Sequence, residues 1–157
     1  MNIFILSHDP VEAARMQCDK HICKMVLEST QMLLLGVPQH ISPYKHAYQN
    51  HPCSKWTLET NGNYEWHLKH ALALSEEYTH RYKKTHKCDQ YIKLALGYHR
   101  VHGAVSNQIA AMTPFAQAMP DQYKDPNDAV QAYRDYYRGD KARFAKWNNG
   151  RSAPYWW

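Results

Sequence analysis

The sequence lacks several patterns that would place it in a familiar class of protein. Its four cysteines form no Cys-x-x-Cys pair, which argues against a zinc ribbon. The HExxH motif of many zinc hydrolases is missing as well. No apolar run approaches the roughly 18 residues that a membrane span needs, and the opening stretch lacks the basic start of a secretory signal peptide. We therefore expect a cytoplasmic protein without a membrane partner.

Composition sets limits on the fold. The chain has 157 residues, of which 44% are hydrophobic and 21% are charged. This length allows one domain with a substantial core, and the composition is unlike that of a disordered tail. The sequence predicts an all-α fold, namely one compact domain over residues 1–157 with about four to five helices. Long loops rich in proline and histidine and a short extended N-terminal segment at Ile3–Leu6 complete this expectation.

The strongest pattern is a long helix predicted from Pro10 to Leu35. Asp9 and Pro10 form a strong helix start, and Gly36 followed by Pro38 forms a stop. The segment is apolar on two sides, which is typical of a buried helix. Between the apolar faces runs a polar stripe with helical spacing that consists of Gln17, His21, Lys24, Glu28 and Gln31.

Three residues of this stripe form a candidate catalytic set. A buried acid, a base and an imidazole in one row are costly unless they are paired or functional. We interpret Glu28 as a general base, His21 as an acid–base or positioning group, and Lys24 as a phosphate ligand or nucleophile. The alternative is a structural ion pair between Lys24 and Glu28 at i, i+4 spacing. Asp19 and Lys20 fall elsewhere on the helix and are expected at the surface.

The remaining helices are separated by proline-rich stretches. The predicted segments are a short turn capped by Ser54, helices over about 64–84 and 89–102, and a last helix from Asp125-Pro126 to Arg138 that stops at Gly139 and restarts through Trp147. Residues 103–128 contain three prolines and are expected to be irregular.

Histidine is abundant, with 11 residues in the chain. His67 and His70 lie three positions apart on a predicted helix and, with His21 or His51, are weak candidates to bind a divalent metal. The alternative is that they are exposed, or buried with their hydrogen bonds satisfied. His51 in the sequence Asn50-His51-Pro52 is a candidate catalytic imidazole, or else a loop histidine that hydrogen-bonds the backbone.

Positive charge is concentrated near the C-terminus. The net charge is +5, and +4 of it lies within Tyr133–Trp157, where six basic residues face two acidic ones. Arginine and lysine with interleaved aromatic side chains suit a phosphate-bearing partner. The candidate phosphate- or nucleic-acid-binding residues are Arg134, Arg138, Lys141 and Arg151. The alternative reading places the aromatic residues of this stretch in the core and the charges in solvent.

Six short motifs are distributed along the chain: the opening MNIF, Asp9-Pro10, Cys18-Asp19-Lys20-His21, Asn50-His51-Pro52, Gln117-Ala118-Met119-Pro120, and Ala132-Tyr133-Arg134 with Tyr136-Tyr137. Together they resemble a family of small proteins encoded by tailed bacteriophages. The resemblance spans the whole chain and implies a phage origin, hence the cytoplasm of an infected bacterial host, without naming a reaction.

A basic, helical chain with a glutamate on its first long helix and an aromatic C-terminus is also similar to the pyrimidine-dimer DNA glycosylases of phages. This looser resemblance implies a base-excising enzyme whose nucleophile is an N-terminal threonine amine. The present chain has Met1-Asn2 at that place, and a methionine before asparagine is normally retained.

These observations favour an enzyme that acts on nucleic acid or a nucleotide by acid–base or hydrolytic chemistry. DNA base modification, base excision and cleavage of a phosphodiester or glycosidic bond all fit. One alternative is a non-catalytic protein that binds a nucleotide or nucleic acid to counter host defence, and another is a minor structural protein whose tail docks to a partner. The expected partner is nucleic acid or a phosphorylated small molecule, and a divalent metal remains an open option as cofactor.

Overall fold

A computed structural model describes residues 1–157 and contains helices but no β-strand. This confirms the all-α prediction, although the helix count is six rather than four to five. The helices are α1 (Pro10–Met16), α2 (Asp19–Leu33), α3 (Pro52–Glu59), α4 (Asn61–Tyr82), α5 (Asp89–His102) and α6 (Ala129–Tyr136). None of them is both long and apolar enough to cross a membrane.

Helix α4 is the centre of the fold, since α1, α2, α3 and α5 all pack against it. The N-terminal segment Ile3–Leu6 passes through the core and is almost fully buried. It forms neither helix nor strand. At Phe4 the chain bends with a φ of 56°, and the Leu6 amide donates to the carbonyl of Phe4 at 3.0 Å. All six helices contribute to one cluster of buried hydrophobic residues. The short N-terminal segment is therefore a core element that leads the first residues towards α2.

The predicted continuous helix from Pro10 to Leu35 is wrong, because the chain breaks between α1 and α2. Gln17 and Cys18 have extended backbones, with ψ of 144° and 161°. Side chains from distant parts of the sequence satisfy the backbone carbonyls that the break leaves without helical partners. Arg81 donates to the carbonyl of Gln17 at 2.7 Å, and Trp147 donates to the carbonyl of Met16 at 3.1 Å. Helix ends persist where such partners satisfy the free carbonyls.

Asp19, expected at the surface, is instead buried at the start of α2. Its carboxylate accepts a hydrogen bond from Arg81 at 3.1 Å and others from the Asn148 backbone amide and the Asn149 side chain. Arg81 also pairs with Glu77 at 2.9 Å. Because negative and positive side chains alternate in this cluster, each buried charge has a partner of opposite sign. The cluster fastens the C-terminal segment to α2 and α4.

The other boundaries agree with the sequence in part. Helix α5 covers the predicted residues 89–102, whereas α3 begins at Pro52, with His51 rather than Ser54 as its cap. After α6 the chain continues in a wide helical turn over Tyr137–Lys141, and the predicted restart through Trp147 is wrong. Gly139 lies directly against the ring of Tyr123, so that the turn has no room for a side chain at this position.

Candidate functional site

A small cleft of about 150 Å³ opens where the N-terminal segment meets α2 and α6. Glu28 is its only acidic residue. The cleft is lined by Met1, Asn2, Phe4, His21, Lys24, Met25, Glu28, Tyr136 and Lys141. Three of the residues that the polar stripe predicts, His21, Lys24 and Glu28, therefore share one cavity. The stripe residue Gln17 lies in the break before α2, outside this group.

Glu28 is held by the first two residues of the chain. The α-amine of Met1 lies 3.7 Å from Oε2 of Glu28, and the backbone amide of Asn2 donates a hydrogen bond to the same oxygen at 2.9 Å. The Asn2 side chain anchors this arrangement. Its Oδ1 accepts hydrogen bonds from the amides of Ile3 and Phe4, and its Nδ2 donates to the carbonyl of Ala118 at 2.7 Å.

A second amine approaches the other oxygen of the same carboxylate. Nζ of Lys24 lies 3.6 Å from Oε1 of Glu28, with the i, i+4 spacing that the sequence shows. The Lys24 side chain is 67% exposed, whereas that of Glu28 is only 11% exposed. The carboxylate is thus fixed, and the lysine is free to leave it for a ligand. Two amines and one carboxylate converge at the mouth of the cleft.

His21 is neutral in this site. Burial lowers its pKa to about 3, assisted by the positive charges of Lys141, Lys24 and Lys20. Its ring stacks on Phe4 with 4.2 Å between ring centres, and Nδ1 lies 2.5 Å from the Tyr137 hydroxyl.

The Tyr137 hydroxyl contacts three groups beside the break before α2. It accepts a hydrogen bond from the Cys18 amide, and it lies 2.5 Å from Nδ1 of His21 and 3.8 Å from Sγ of Cys18. When its hydrogen points to Nδ1, the proton of the neutral ring is on Nε2. Nε2 forms no hydrogen bond within the protein and is available as a donor to a ligand in the cleft.

His51 lies beside the cleft and does not line it. Its Nδ1 accepts a hydrogen bond from the Cys53 amide at 3.1 Å, which caps α3. The pKa of His51 is lowered by burial and by the Met1 amine, and it is raised by Glu28. These charge interactions place His51 within electrostatic reach of the carboxylate.

The four candidate basic residues of the C-terminal region have different surroundings. Lys141 lines the cleft, with its ammonium 4.7 Å from the centre of the Tyr136 ring. Arg134 donates to the carbonyl of Leu6 and lies over the Trp156 ring. Arg138 donates to the carbonyl of Trp156 and pairs with Asp135, and Arg151 makes a double hydrogen bond to Glu77.

His67 and His70 lie in the core, and both ring nitrogens of each have protein partners. His67 contacts the hydroxyls of Thr57 and Ser29, and His70 contacts the carbonyl of Pro10 and the Gln17 side chain. Burial lowers the pKa of both rings, that of His70 to about 4. No group of three His, Cys, Asp or Glu side chains in the protein is arranged to hold a metal ion.

Sequence reasoning missed the contribution of the chain start to the site. Met1, Asn2 and Phe4 line the cleft, yet nothing in the helical stripe pointed to them. The available signal was Asn2 itself, a polar residue directly before a short, strongly apolar run. Tyr136 was also missed as a cleft residue, because its position depends on the path of the chain after α6.

Comparison with known proteins gives one family match. Residues 1–90, more than half of the chain, match the family model of pyrimidine dimer DNA glycosylase. No curated protein and no solved structure matches the chain. The matched residues include Met1, Asn2, His21, Lys24 and Glu28, and the match confirms the resemblance to these glycosylases. The chain belongs to the pyrimidine dimer DNA glycosylase family.

Proposed function

We propose that this protein is a DNA glycosylase that cuts the glycosidic bond of a pyrimidine dimer in the Glu28 cleft. The observation that carries the proposal is the buried Glu28 carboxylate held between two amines, those of Met1 and Lys24. An amine is a nucleophile once it has lost a proton, and a fixed carboxylate beside it is a suitable base. Family membership supports DNA as the substrate.

The proposed reaction begins with attack of an amine nitrogen on C1′ of the deoxyribose. The C1′–N bond to the pyrimidine breaks, the leaving base takes a proton from solvent, and the attacking amine gives a proton to Glu28. The sugar ring then opens: the C1′–O4′ bond breaks, O4′ takes the proton back from Glu28, and the nitrogen lone pair turns the new C1′–N bond into a protonated imine. Glu28 also stabilises the positive charge that develops on the sugar, because its carboxylate lies in a sheltered cleft.

Geometry favours Met1 over Lys24 as the source of the nucleophile. The Met1 side chain is 4% exposed, and Asn2 holds the backbone that positions the amine. Lys24 is 67% exposed and has no second partner that would fix its ammonium. A positioned nucleophile is worth far more than a mobile one. In this proposal Lys24 binds phosphate, and it is the competing nucleophile in the test.

The two histidines take positioning roles in the proposal. Neutral His21 donates from Nε2 to the substrate, and its ring stays in place because of Phe4 and Tyr137. His51 holds the start of α3 in place by accepting a hydrogen bond from the Cys53 amide, and its lowered pKa favours the uncharged ring.

Chemical trapping tests the proposal directly. The protein is incubated with a duplex that carries one thymine dimer in the presence of borohydride, which reduces an imine to a stable amine. We expect a covalent protein–DNA adduct, and proteolysis with mass analysis then locates it on Met1 or on Lys24. Glu28→Gln is expected to lower single-turnover rates by about 10²–10⁴-fold. Lys24→Arg keeps the positive charge and serves as the matched control for the lysine.

The outcomes of this experiment distinguish a DNA glycosylase from a protein that binds DNA without cutting it. An adduct on Met1 in wild type and in Lys24→Arg supports the proposal, and a Gly-Ser extension before Met1 is then expected to abolish trapping. An adduct on Lys24 alone would assign the nucleophile to that residue. Tight binding of the dimer duplex with no bond cleaved would contradict catalysis and favour a non-catalytic nucleic-acid-binding protein.

A further inference from the structure

Three cations gather around a single aromatic ring at the rim of the cleft. The Lys20 ammonium lies 4.7 Å from the centre of the Phe144 ring, the Lys141 ammonium 6.0 Å, and the Arg143 guanidinium 5.4 Å. The Phe144 ring packs edge-on against His21, with 5.5 Å between ring centres. We call Lys20, Lys141 and Arg143 the cationic rim.

No carboxylate neutralises the cationic rim. None of its three side chains takes part in an ion pair with an aspartate or glutamate, although the protein forms such pairs elsewhere. The aromatic face of Phe144 offsets only part of the repulsion between like charges. A group of cations without protein counter-charges attracts an anionic ligand.

The rim is continuous with the Glu28 cleft. Lys141 belongs to both, since it lines the cleft and lies 5.7 Å from the centre of the Phe4 ring. Lys20 and Arg143 are exposed and extend the positive surface away from the cleft mouth. The positive charges of Lys141, Lys24 and Lys20 all assist burial in lowering the pKa of His21.

The other arginines of the C-terminal region are occupied within the protein. Arg134 and Arg138 hold the terminal aromatic residues, and Arg151 makes its double hydrogen bond to Glu77. Arginines with satisfied donors offer less to an incoming phosphate than cations with free ones. Arg143 donates only its Nε–H within the protein, to the carbonyl of Asp140 at 3.3 Å, so that its two terminal nitrogens stay free. The cations of the rim are therefore better placed for this task.

We propose that the cationic rim binds the backbone phosphates next to the target nucleotide on the DNA strand held over Glu28. This inference rests on the proposed function for its ligand and adds the path of the strand. The phosphodiester chain runs from Lys141 at the cleft mouth past Phe144 to Lys20 and Arg143. These contacts are to phosphate, so that they strengthen binding of damaged and undamaged DNA alike.

The test measures DNA affinity as a function of salt. Binding to a dimer-containing duplex and to the same undamaged duplex is measured in a Glu28→Gln background, which prevents turnover. The rim variant carries Lys20→Gln, Lys141→Gln and Arg143→Gln. The matched control carries Lys69→Gln, Lys93→Gln and Arg100→Gln on α4 and α5, which removes the same number and types of charge outside the cleft lining.

We expect the rim variant to weaken binding to both duplexes by the same factor. The slope of log affinity against log salt is expected to fall by about 0.9 for each lost phosphate contact. A slope equal to that of the control variant would overturn the inference. Circular dichroism of both variants verifies that neither is unfolded.

Failure of the rim and failure of the proposed function give different results. If wild type forms the borohydride adduct but the rim variant keeps the full salt slope, the rim assignment is wrong and the enzyme assignment stands. If the salt slope falls in the rim variant but wild type cuts no glycosidic bond, the rim assignment stands and the enzyme assignment is wrong. Weaker binding of the dimer duplex alone would contradict a phosphate contact and point to recognition of the damaged bases.

Discussion

The backbone amide of Asn2 donates to Oε2 of Glu28, and the two residues thereby bring the chain start and α2 into contact. The Asn2 side chain maintains this contact through three further hydrogen bonds, one of them to the carbonyl of Ala118. In effect one asparagine positions both the proposed nucleophile and the carboxylate that activates it.

Asn2→Leu is expected to reduce activity and stability together. The change leaves the buried amides of Ile3 and Phe4 without their acceptor and frees the carbonyl of Ala118, at a cost of about 1–3 kcal/mol in the free energy of unfolding. The borohydride adduct is expected to form more slowly. Asn2→Asp is the control, since it keeps an acceptor oxygen at the Oδ1 position, and both variants, like wild type, keep Met1 in front of a large or charged residue. Unchanged trapping in Asn2→Leu would show that the amine needs no such support.

Arg81→Met is expected to lower the free energy of unfolding by about 3–5 kcal/mol, because it leaves Asp19 and Glu77 with fewer partners in the interior. Urea denaturation followed by circular dichroism measures the change. Arg100→Met, at an exposed position of α5, is expected to stay within about 0.5 kcal/mol of wild type. Similar losses in both variants would argue that the buried charge cluster has no special role.

Acidification is expected to destabilise the protein in part through His21. Burial and nearby lysines lower its pKa from 6.5 to about 3, so that the unfolded chain binds one more proton than the folded protein between these values. The free energy of unfolding therefore falls as pH is lowered through this window. His67 and His70 contribute in the same direction, because their pKa values are also lowered by burial.

His21→Gln removes one of these titrations and is expected to make the pH dependence of unfolding shallower between pH 6.5 and 4. Urea midpoints measured across that range test the expectation through the slope, whatever the absolute stability of the variant. His40→Gln, at an exposed position, is the control for the loss of a histidine outside the cleft. An identical slope in His21→Gln would mean that His21 has the same pKa in the folded and the unfolded chain.

Two glycines in helices are expected to respond to alanine in opposite directions. At Gly62, in the first turn of α4, an added Cβ would overlap the carbonyl oxygen of Ala110, so that Gly62→Ala must displace that backbone. We expect a loss of about 1–3 kcal/mol. At Gly97 on α5 no atom lies within 4 Å of the added Cβ, and Gly97→Ala is expected to gain about 0.5–1 kcal/mol. Thermal unfolding of both variants measures the contrast.

Local patterns in the sequence were reliable where local contacts decide the structure. Asp9 caps α1 by accepting hydrogen bonds from Val11 and Glu12, and α5 begins and ends as predicted. The stripe also brought His21, Lys24 and Glu28 together correctly, because their spacing is a property of a single helix.

Partners distant in the sequence decided the features that were predicted wrongly. The break before α2 and the burial of Asp19 both depend on Arg81, more than 60 residues away. The place of Met1 beside Glu28 depends on how the N-terminal segment crosses the core. A hydrophobic period gives the face of a helix but does not identify what packs against that face.

The hydrogen bond between His21 and Tyr137 joins residues 116 positions apart and has a further consequence. The family match ends at residue 90, whereas Tyr136, Tyr137 and Lys141 belong to the later part of the chain. The cleft is thus assembled from both parts. Because contacts between such distant residues require a long loop to close, a fragment limited to the matched region would hold Glu28 in an incomplete pocket. The proposed activity would then require the residues after position 90 to be folded as well.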